Sequence, residues 1–343
     1  MAGDNFDKGW VYVLHFDLPG KKSNFYKIGL TKNPVENRIA QLQTGNPFKI
    51  IEAHSFESEC IGLLEGHLHK IFAKKRFRKE WFELTPSYFT KVKTEGKKFN
   101  DEFGPLAIEL RELDKKTSIH NEMKPTPEHL KLHKKALQLK LKINEIELKK
   151  DIAKNHLRRL AGNTLGISGI CEFYSLNQPD PSTKGKELKK IDLKEWEKWV
   201  VKKWKCDSKI VGAETKAKSH PKLNDELNEL TSKTGAIFDI STYSQKIKPR
   251  TKISRQYHQT VIDCEEELGL LKVDLDLIMI RFKLDCKRRK GIEGVFKYTR
   301  GFTKNEFDKK AFAKGKPKKA YDPRWYYSAE PVPKFKVANA IGY

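Results

Sequence analysis

Short runs of alternating apolar and polar residues mark the beginning of the chain. The runs at 10–16 and 25–30 have the period of half-buried strands, and the turn cluster Leu-Pro-Gly-Lys-Lys-Ser-Asn between them predicts a β-hairpin. A third run of this kind lies at 48–56. We therefore expect a small three-stranded antiparallel sheet at the N-terminus.

Two stretches beside these strands have the period of amphipathic helices. The first begins at Pro34, a residue favoured in the first turn of a helix, and Gly45 helps to end it. The second runs from about 58 to 72. A small sheet flanked by helices is an α+β domain, which we expect to occupy residues 1–104.

The rest of the chain is expected to be mainly helical. A polar segment at 105–126 predicts a short helix and then a linker, and a long lysine-rich helix follows at 127–161. A second long helix spans about 254–289, and its apolar residues alternate spacings of four and three, as in a coiled-coil seam. After the linker we expect a helix-strand unit, a polar connector and a second helix-strand unit: 127–206, 207–253 and 254–343.

The two helix-strand units resemble each other. The run 166–173 (Gly-Ile-Ser-Gly-Ile-Cys-Glu-Phe) matches 291–298 (Gly-Ile-Glu-Gly-Val-Phe-Lys-Tyr) without a gap, at an offset of 291 − 166 = 125. At the same offset, the apolar seam of the second helix falls on apolar residues of the first, except at Lys150. Coincidence between two lysine-rich helices is the alternative, but the position of the glycine motif favours an internal duplication.

Charge indicates a polyanionic partner. The chain has 69 Lys+Arg against 45 Asp+Glu, a formal net charge of +24 that is spread along its whole length. Such a field attracts nucleic acid first and anionic lipid second, although basic charge for solubility alone is an alternative. No apolar run reaches the roughly 18 to 20 residues of a membrane span, and the first residues do not form a signal peptide. We expect a cytoplasmic protein without a membrane partner.

Cysteines give no sign of a disulfide framework or a zinc site. The five cysteines are widely scattered and none forms a Cys-x-x-Cys pair.

One acidic residue is a candidate metal ligand. Glu65 lies in an otherwise apolar helical stretch, where a carboxylate is costly unless something pairs with it. A single carboxylate suits Mg²⁺ (or Mn²⁺), which keeps most of its water ligands. An ordinary surface glutamate at the edge of the apolar stripe is the alternative.

Four further residues would complete a phosphodiester-cleaving site. Arg38 would bind phosphate through its forked guanidinium, and the strand-borne Tyr12 would take the proton of the attacking water with help from Lys27. His69 lies one helical turn after Glu65 and would hold a metal water or protonate the leaving group. A structural role is the alternative for this histidine.

These residues, in this order, resemble the GIY-YIG nuclease superfamily over about 9–95. The first motif falls on Trp10-Val11-Tyr12, and the second on Lys27-Ile28-Gly29. The resemblance implies that Arg38 is the family's helical arginine and that Glu65 is its metal ligand. It is closest to a branch common in phage proteins, with a Gln-Leu-Gln-Thr-Gly-Asn-Pro turn and a closing Glu-Trp-Phe; a phage-encoded protein would act inside a bacterial host cell.

The match departs from the family at one catalytic position. Lys27 stands where the family has its second tyrosine, and Tyr26 should point to the opposite face of the strand. Either Lys27 takes over proton handling or the site is altered. The family's closing asparagine has no clear counterpart, and Glu80 is a candidate for that space.

A weaker resemblance covers about 291–336, which is similar to the C-terminal part of YqaJ-type phage exonucleases. Their catalytic residues have no counterpart here, so the likeness implies a DNA-contacting or docking module; a basic helical scaffold is the alternative. Candidate nucleic-acid contacts in this region are Lys297, Arg300, Arg324 and Trp325.

The sequence as a whole predicts a metal-dependent DNA endonuclease. An N-terminal cutter would be tethered to a basic region that selects double-stranded or branched DNA. The competing hypotheses are a non-catalytic DNA-binding protein with a degenerate nuclease fold and a coiled-coil assembly protein, a homo-oligomer paired through its long helices.

Overall fold

The described residues divide into two compact units. The computed structural model describes residues 7–18, 21–44, 46–174, 189–190, 193–235, 243–308, 311 and 334–338. The first unit comprises 1–143, 208–213 and 266–300, and the second comprises 144–207, 214–265 and 301–343. None of the helices in this described part of the chain combines the length and hydropathy needed to cross a bilayer.

The first unit begins with an antiparallel sheet. Its strands are β1 Gly9–Leu18, β2 Lys21–Thr31, β3 Lys49–Ser58, β4 Arg76–Arg78 and β5 Trp81–Glu83. They lie in the order β3-β1-β2-β5-β4, with β1 paired to both β2 and β3. The three strands expected from the sequence are present.

The prediction of three strands was wrong in number, because β4 and β5 extend the sheet to five. Residues 25–27 of β2 pair with Trp81–Glu83, and β4 pairs with β5 at the edge. Each added strand has only three residues, so neither is long enough to establish an alternating pattern in the sequence.

Helices cover both faces of the sheet. Helix α1 is Val35–Gln43, α2 is Ile61–Ile71 and α3 is Pro86–Asp114. On one face Val11, Val13 and Ile28 pack in a core that includes residues of α2 and α3. On the other, Tyr12 and Leu14 pack with residues of α1.

Helix α3 is longer than the sequence pattern suggested. The hydroxyl of Thr85 caps it by accepting a hydrogen bond from the Tyr88 N–H, and the helix continues through Pro105 to Asp114. Residues 105–114, expected at the start of the connecting segment, therefore form its last turns. Ala107 and Leu110 explain this continuation, because both are buried in the core.

The remaining elements combine helices and short strands, consistent with the predicted α+β class. In chain order they are α4 Pro127–Ala161, β6 Thr164–Ile167, β7 Cys171–Tyr174, α5 Leu193–Lys198, β8 Val200–Ile210, α6 Lys216–Ser219, α7 Pro221–Gly235, β9 Ser244–Lys248, α8 Lys252–Cys286, β10 Gly291–Ile292, β11 Phe296–Phe307 and β12 Lys334–Val337. The two long helices predicted from the sequence are α4 and α8.

The second half of α8 belongs to the first unit and completes its core. Ile280 and Leu284 are buried in the same cluster as the sheet residues. Val273 lies against Gly66 of α2, so closely that a β-carbon at position 66 would be 2.3 Å from its Cγ2 atom. The candidate nuclease domain therefore shares its apolar core with a helix that begins 138 residues after α3 ends (252 − 114 = 138).

The paired segments of the sequence have the same local structure. Helices α4 and α8 each have 35 residues and begin 125 positions apart (252 − 127 = 125). In both, the threonine before the helix and the third helical residue exchange hydrogen bonds, as Thr126 does with His129 and Thr251 with Ser254. A common origin of the two segments stays a prediction.

Each unit also contains an equivalent glycine-hinged hairpin. In the first unit, a β-carbon on Gly291 would lie 2.1 Å from the carbonyl oxygen of Phe296, and in the second, one on Gly166 would lie 2.1 Å from that of Cys171. Their φ values are 147° and 151°, a backbone conformation that side chains rarely permit. The strict need for glycine explains why this motif is the clearest sequence signal of the two segments.

Candidate active site

Tyr12 and Arg38 meet on the α1 face of the sheet. Tyr12 is buried on β1, and the Nε of Arg38, on α1, lies 3.4 Å from its hydroxyl oxygen. A second nitrogen of the guanidinium donates to the Gln41 side chain at 3.1 Å. The structure thus brings together the arginine and the tyrosine that the sequence placed side by side.

Gly29 makes room for the Tyr12 ring. The two residues are directly opposite on β2 and β1, and a β-carbon at position 29 would lie 2.5 Å from the Tyr12 hydroxyl oxygen. Any larger residue at the glycine of the Lys-Ile-Gly motif would clash with the Tyr12 ring, so this position requires glycine.

Two side chains of α2 bind the edge of β2, beyond the residues that pair with β5. The Nε2 of His69 donates to the carbonyl oxygen of Ile28 at 3.0 Å, and the backbone of Leu30 hydrogen-bonds to the Glu65 carboxyl. The helical spacing of four brings both residues to the same strand edge.

Glu65 lies in an environment that disfavours its charge. Burial, and then the nearby charge of Glu80, raise the pKa of Glu65 from 4.5 to about 8. The cations Lys27 and Arg76 and the Leu30 hydrogen bond act in the opposite direction. A divalent cation would stabilise the ionised carboxylate, so this group suits a metal ligand.

His69 is neutral at physiological pH. Burial is the main cause that lowers its pKa to about 4, and the nearby cations Arg76 and Lys27 add to the effect. A backbone carbonyl can only accept a hydrogen bond, so the Nε2 atom that faces Ile28 carries the proton. This arrangement favours orientation of α2 against β2 over proton donation by His69.

Lys27 forms an ion pair with Glu80, the residue that the sequence proposed for the space of the family's asparagine. Lys27 is largely buried, with a side-chain exposure of 12%, and it lies on the same strand face as Gly29. Tyr26 points to the other face and stacks on Phe89, with ring centroids 5.0 Å apart. The expectation that Tyr26 points to the face opposite Lys27 is confirmed.

Arg76 is a site residue that sequence reasoning missed. Its guanidinium lies over the Phe82 ring and near Glu65 and His69, and one of its nitrogens is 3.8 Å from Glu266 of α8. In the sequence it stands within the cationic run 74–79, where nothing distinguishes it from its neighbours. Only the β4–β5 pairing shows which of these cations faces the site.

The predicted nucleic-acid contacts near the C-terminus have different positions. Lys297 is exposed on β11, whereas Arg300 is buried, its Nε bound to Asp114 at 2.9 Å and one Nη to the Lys283 carbonyl oxygen at 2.6 Å. The guanidinium of Arg300 is therefore occupied within the fold, contrary to the contact expected from the sequence. Arg324 and Trp325 lie outside the described residues.

If the site holds a metal, Glu65 is the residue that could bind it. Among the described residues, no group of three or more His, Cys, Asp or Glu side chains forms a metal-binding cluster. Glu65 alone would leave most of the coordination sphere to water, which is the arrangement Mg²⁺ tolerates best.

Comparison with known families gives a match to the N-terminal domain. The model of the T5orf172 domain matches residues 9–95, which are 87 of the 343 residues (95 − 9 + 1 = 87). This family is phage-associated and nuclease-like, and residues 9–95 are similar to it. The comparisons give no specific match to the GIY-YIG superfamily or to YqaJ-type exonucleases. No curated protein and no solved structure matches the chain.

Proposed function

We propose that residues 9–95 form the cutting domain of a metal-dependent DNA endonuclease of the GIY-YIG type. The observation that carries the proposal is a partly buried carboxyl, Glu65, which is hydrogen-bonded to the backbone of Leu30 and lies near Lys27 on β2. Gly29 of the same strand is directly opposite Tyr12, whose hydroxyl contacts Arg38. Burying an ionisable carboxyl costs free energy, and a strongly shifted pKa beside specific charged partners marks a candidate functional residue. The match to a nuclease-like family supports this assignment.

The domain would need one divalent cation. Mg²⁺ or Mn²⁺ on the Glu65 carboxylate would supply the positive charge that offsets the negative charge developing at the phosphate and leaving oxygen. The raised pKa of Glu65 supports this fit, because bound metal favours the ionised form that burial disfavours.

The side chains of the α1 face would orient the phosphate and the attacking water. Arg38 would bind two phosphate oxygens through its forked guanidinium. Tyr12, held beside Arg38, would act as its phenolate, whose oxygen accepts the proton of the water as the water attacks phosphorus and so becomes the hydroxyl. Lys27, which occupies the position of the family's second tyrosine, would stabilise the extra negative charge as the phosphorus–oxygen bond breaks.

A second candidate function is non-catalytic DNA binding by a degenerate nuclease fold. The ion pair between Lys27 and Glu80 favours it, because the ammonium that would face the phosphate is neutralised by a carboxylate. If the domain is a nuclease, the ion pair between Glu80 and Lys27 must break when the phosphate binds.

The partner of either function is proposed to be DNA, double-stranded or branched. The chain has a net charge of +24, and exposed lysines project from α4 at positions 131, 134 and 135. These side chains would bind phosphates without regard to sequence and hold the DNA near the cutter. A cytoplasmic location and homo-oligomers formed through the long helices remain part of the proposal.

Cleavage assays separate the two candidates. Full-length protein is incubated with supercoiled plasmid and with branched DNA, with Mg²⁺ or with a chelator. A nuclease should cut only with metal, and Glu65→Gln should reduce the rate by about 10²-fold or more because charge stabilisation is lost. Glu83→Gln is the matched control, since Glu83 is an exposed carboxylate of the same domain. DNA binding without cleavage under any metal condition would favour the non-catalytic function.

A further inference from the structure

Aromatic side chains cluster on the sheet face that carries Tyr12. Phe16 stacks on Trp81, with centroids 4.6 Å apart and planes inclined by 14°, and Phe48 meets Phe16 at 6.2 Å. Phe25 and Phe77 form a second pair, 4.8 Å apart. We call this set the aromatic platform: Phe16, Phe25, Phe48, Phe77 and Trp81.

Strand register places the aromatic platform beside the candidate active site. Trp81 of β5 is directly opposite Lys27 of β2, and directly opposed residues share a face of the sheet. Phe25 precedes Lys27 by two positions and shares the same face. The platform therefore begins next to Lys27 and extends along β2 away from Gly29.

Two rings of the platform are exposed. Phe77 is 66% exposed and Phe48 is 46% exposed. Phe77 lies at an irregularity in the pairing of β4 with β5, between Arg76 and Arg78, and Lys79 has a φ of 52° in the turn that follows. Irregularities of this kind redirect side chains at sheet edges, and here they present a phenyl ring to solvent.

Cations border the β4 side of the platform, and one exposed carboxylate, Glu83, lies directly opposite Phe25. Arg78 is directly opposite Trp81 and shares its face, and Lys74 and Lys79 are also exposed. No acidic residue occurs in the run 74–79. Exposed planar rings bordered by cations are the combination that binds nucleic-acid bases by stacking while their phosphates are neutralised. An apolar protein partner would have no need of this charge.

We propose that the aromatic platform stacks on unpaired bases next to the phosphodiester bond held at Tyr12 and Arg38. Inside a regular duplex the faces of each base are covered by its neighbours, so only a flap, bubble or branch point offers bases to these rings. The inference rests on the proposed nuclease function and specifies its substrate class: DNA with unpaired nucleotides at the site of cleavage.

Binding measured without cleavage tests the inference. Full-length Glu65→Gln protein in chelator is titrated with a flapped DNA that carries 2-aminopurine in the unpaired strand and with a perfect duplex of equal length. The flap should bind about tenfold more tightly, and the 2-aminopurine fluorescence should change as the base stacks. The combined substitutions Phe48→Leu and Phe77→Leu should weaken flap binding about tenfold and leave duplex binding within about twofold.

Two controls separate stacking from general damage to the fold. Phe77→Tyr keeps an aromatic ring and should retain the preference for the flap, whereas Phe302→Leu changes a 37% exposed phenylalanine of the second unit and should have no effect. Equal affinity for flap and duplex, or an equal loss for both DNAs in the leucine variant, would overturn the inference. The cleavage assay on plasmid and branched DNA is independent of this binding test. Protein that prefers the flap but cuts neither DNA refutes only the nuclease function, and protein that cuts without this preference refutes only the platform.

Discussion

Val273 of α8 packs directly on Gly66 of α2, where a β-carbon would approach its Cγ2 atom to 2.3 Å. One turn further along α2, Lys70 forms an ion pair with Asp274. Glycine at position 66 is thus what allows the two helices to approach. Because Gly66 immediately follows Glu65, the packing of α8 helps to fix the helix that carries the candidate metal ligand.

A methyl group at position 66 should destabilise the protein. We expect Gly66→Ala to lower the free energy of unfolding by about 1–3 kcal/mol, because Val273 has a short branched side chain that cannot move aside. Adding Val273→Ala to the Gly66→Ala variant should restore most of the lost stability. Gly104→Ala is the control: nothing lies within 4 Å of a β-carbon there, so the change should stabilise the helix by about 0.5–1 kcal/mol. Urea unfolding of the wild type, the two glycine variants and the Gly66→Ala, Val273→Ala double variant measures both effects. Equal stability of Gly66→Ala and Gly104→Ala would contradict the packing of Val273 on Gly66.

The stability of the metal-free protein should fall as pH rises toward 8. The pKa of Glu65 is raised to about 8, so between its ordinary value of 4.5 and about 8 the folded protein retains a proton that the unfolded chain has lost. The contribution of protonated Glu65 to the free energy of unfolding is therefore fully present below pH 4.5 and is lost as pH approaches 8. The lowered pKa of His69 affects stability only below about pH 6.5. Between pH 6.5 and 8, the change in stability therefore reports the ionisation of Glu65.

Thermal unfolding in chelator at several pH values checks this assignment. Wild-type protein should lose more stability between pH 6.5 and 8 than Glu65→Gln, which carries no charge at any pH. Mg²⁺ should stabilise the wild type more at pH 8 than at pH 6.5, because the metal competes with the proton. Identical pH profiles for the two proteins would mean that Glu65 ionises normally.

Arg38 and Tyr12 should act as a unit in cleavage. Arg38→Lys keeps the charge but loses the forked geometry, and Tyr12→Phe removes the hydroxyl that Arg38 contacts. We expect each to lower kcat by about 10²-fold or more, and the double variant to be little worse than either, as for residues that work together. Arg255→Lys, an exposed substitution on α8, should cut normally. A mild effect of Tyr12→Phe alone would place proton handling on Lys27 or on bulk water.

DNA binding should weaken steeply with salt. Each phosphate contact contributes about −0.9 to the slope of log K against log salt, so several lysine contacts should produce a slope of roughly −4 or steeper. Full-length Glu65→Gln protein is the suitable form, because a C-terminal fragment would expose Ile280 and Leu284, which are buried in the first unit. A slope near zero with every DNA form would indicate that the basic helices serve protein assembly.

Local patterns in the sequence predicted much of the candidate site. The β1–β2 hairpin and the Tyr12–Arg38 pair follow from strand alternation and from a helix that starts a few residues after β2. Glu65 was identifiable because a carboxylate interrupts an apolar helical stripe. These features depend on residues close together in the chain, so a single sequence contains the information needed to predict them.

Features that depend on distant residues could not be predicted. Strand β5 joins the sheet because it pairs with residues 25–27 of β2, and Ile280 looks like part of an isolated helix until α8 packs on the N-terminal core. Arg300 resembled a DNA contact because its charge is visible in the sequence. The burial of its guanidinium depends on Asp114, 186 positions earlier.

Helix α8 also sets the order in which the chain can complete its first unit during synthesis. The apolar faces of α2 and α3 leave the ribosome well before Ile280 and Leu284, which cover them in the finished protein. At roughly 5–20 residues per second, the intervening translation lasts on the order of ten to thirty seconds. Throughout that interval the nascent domain has an incomplete core, and its cutting site reaches its final support only when most of the chain has been made.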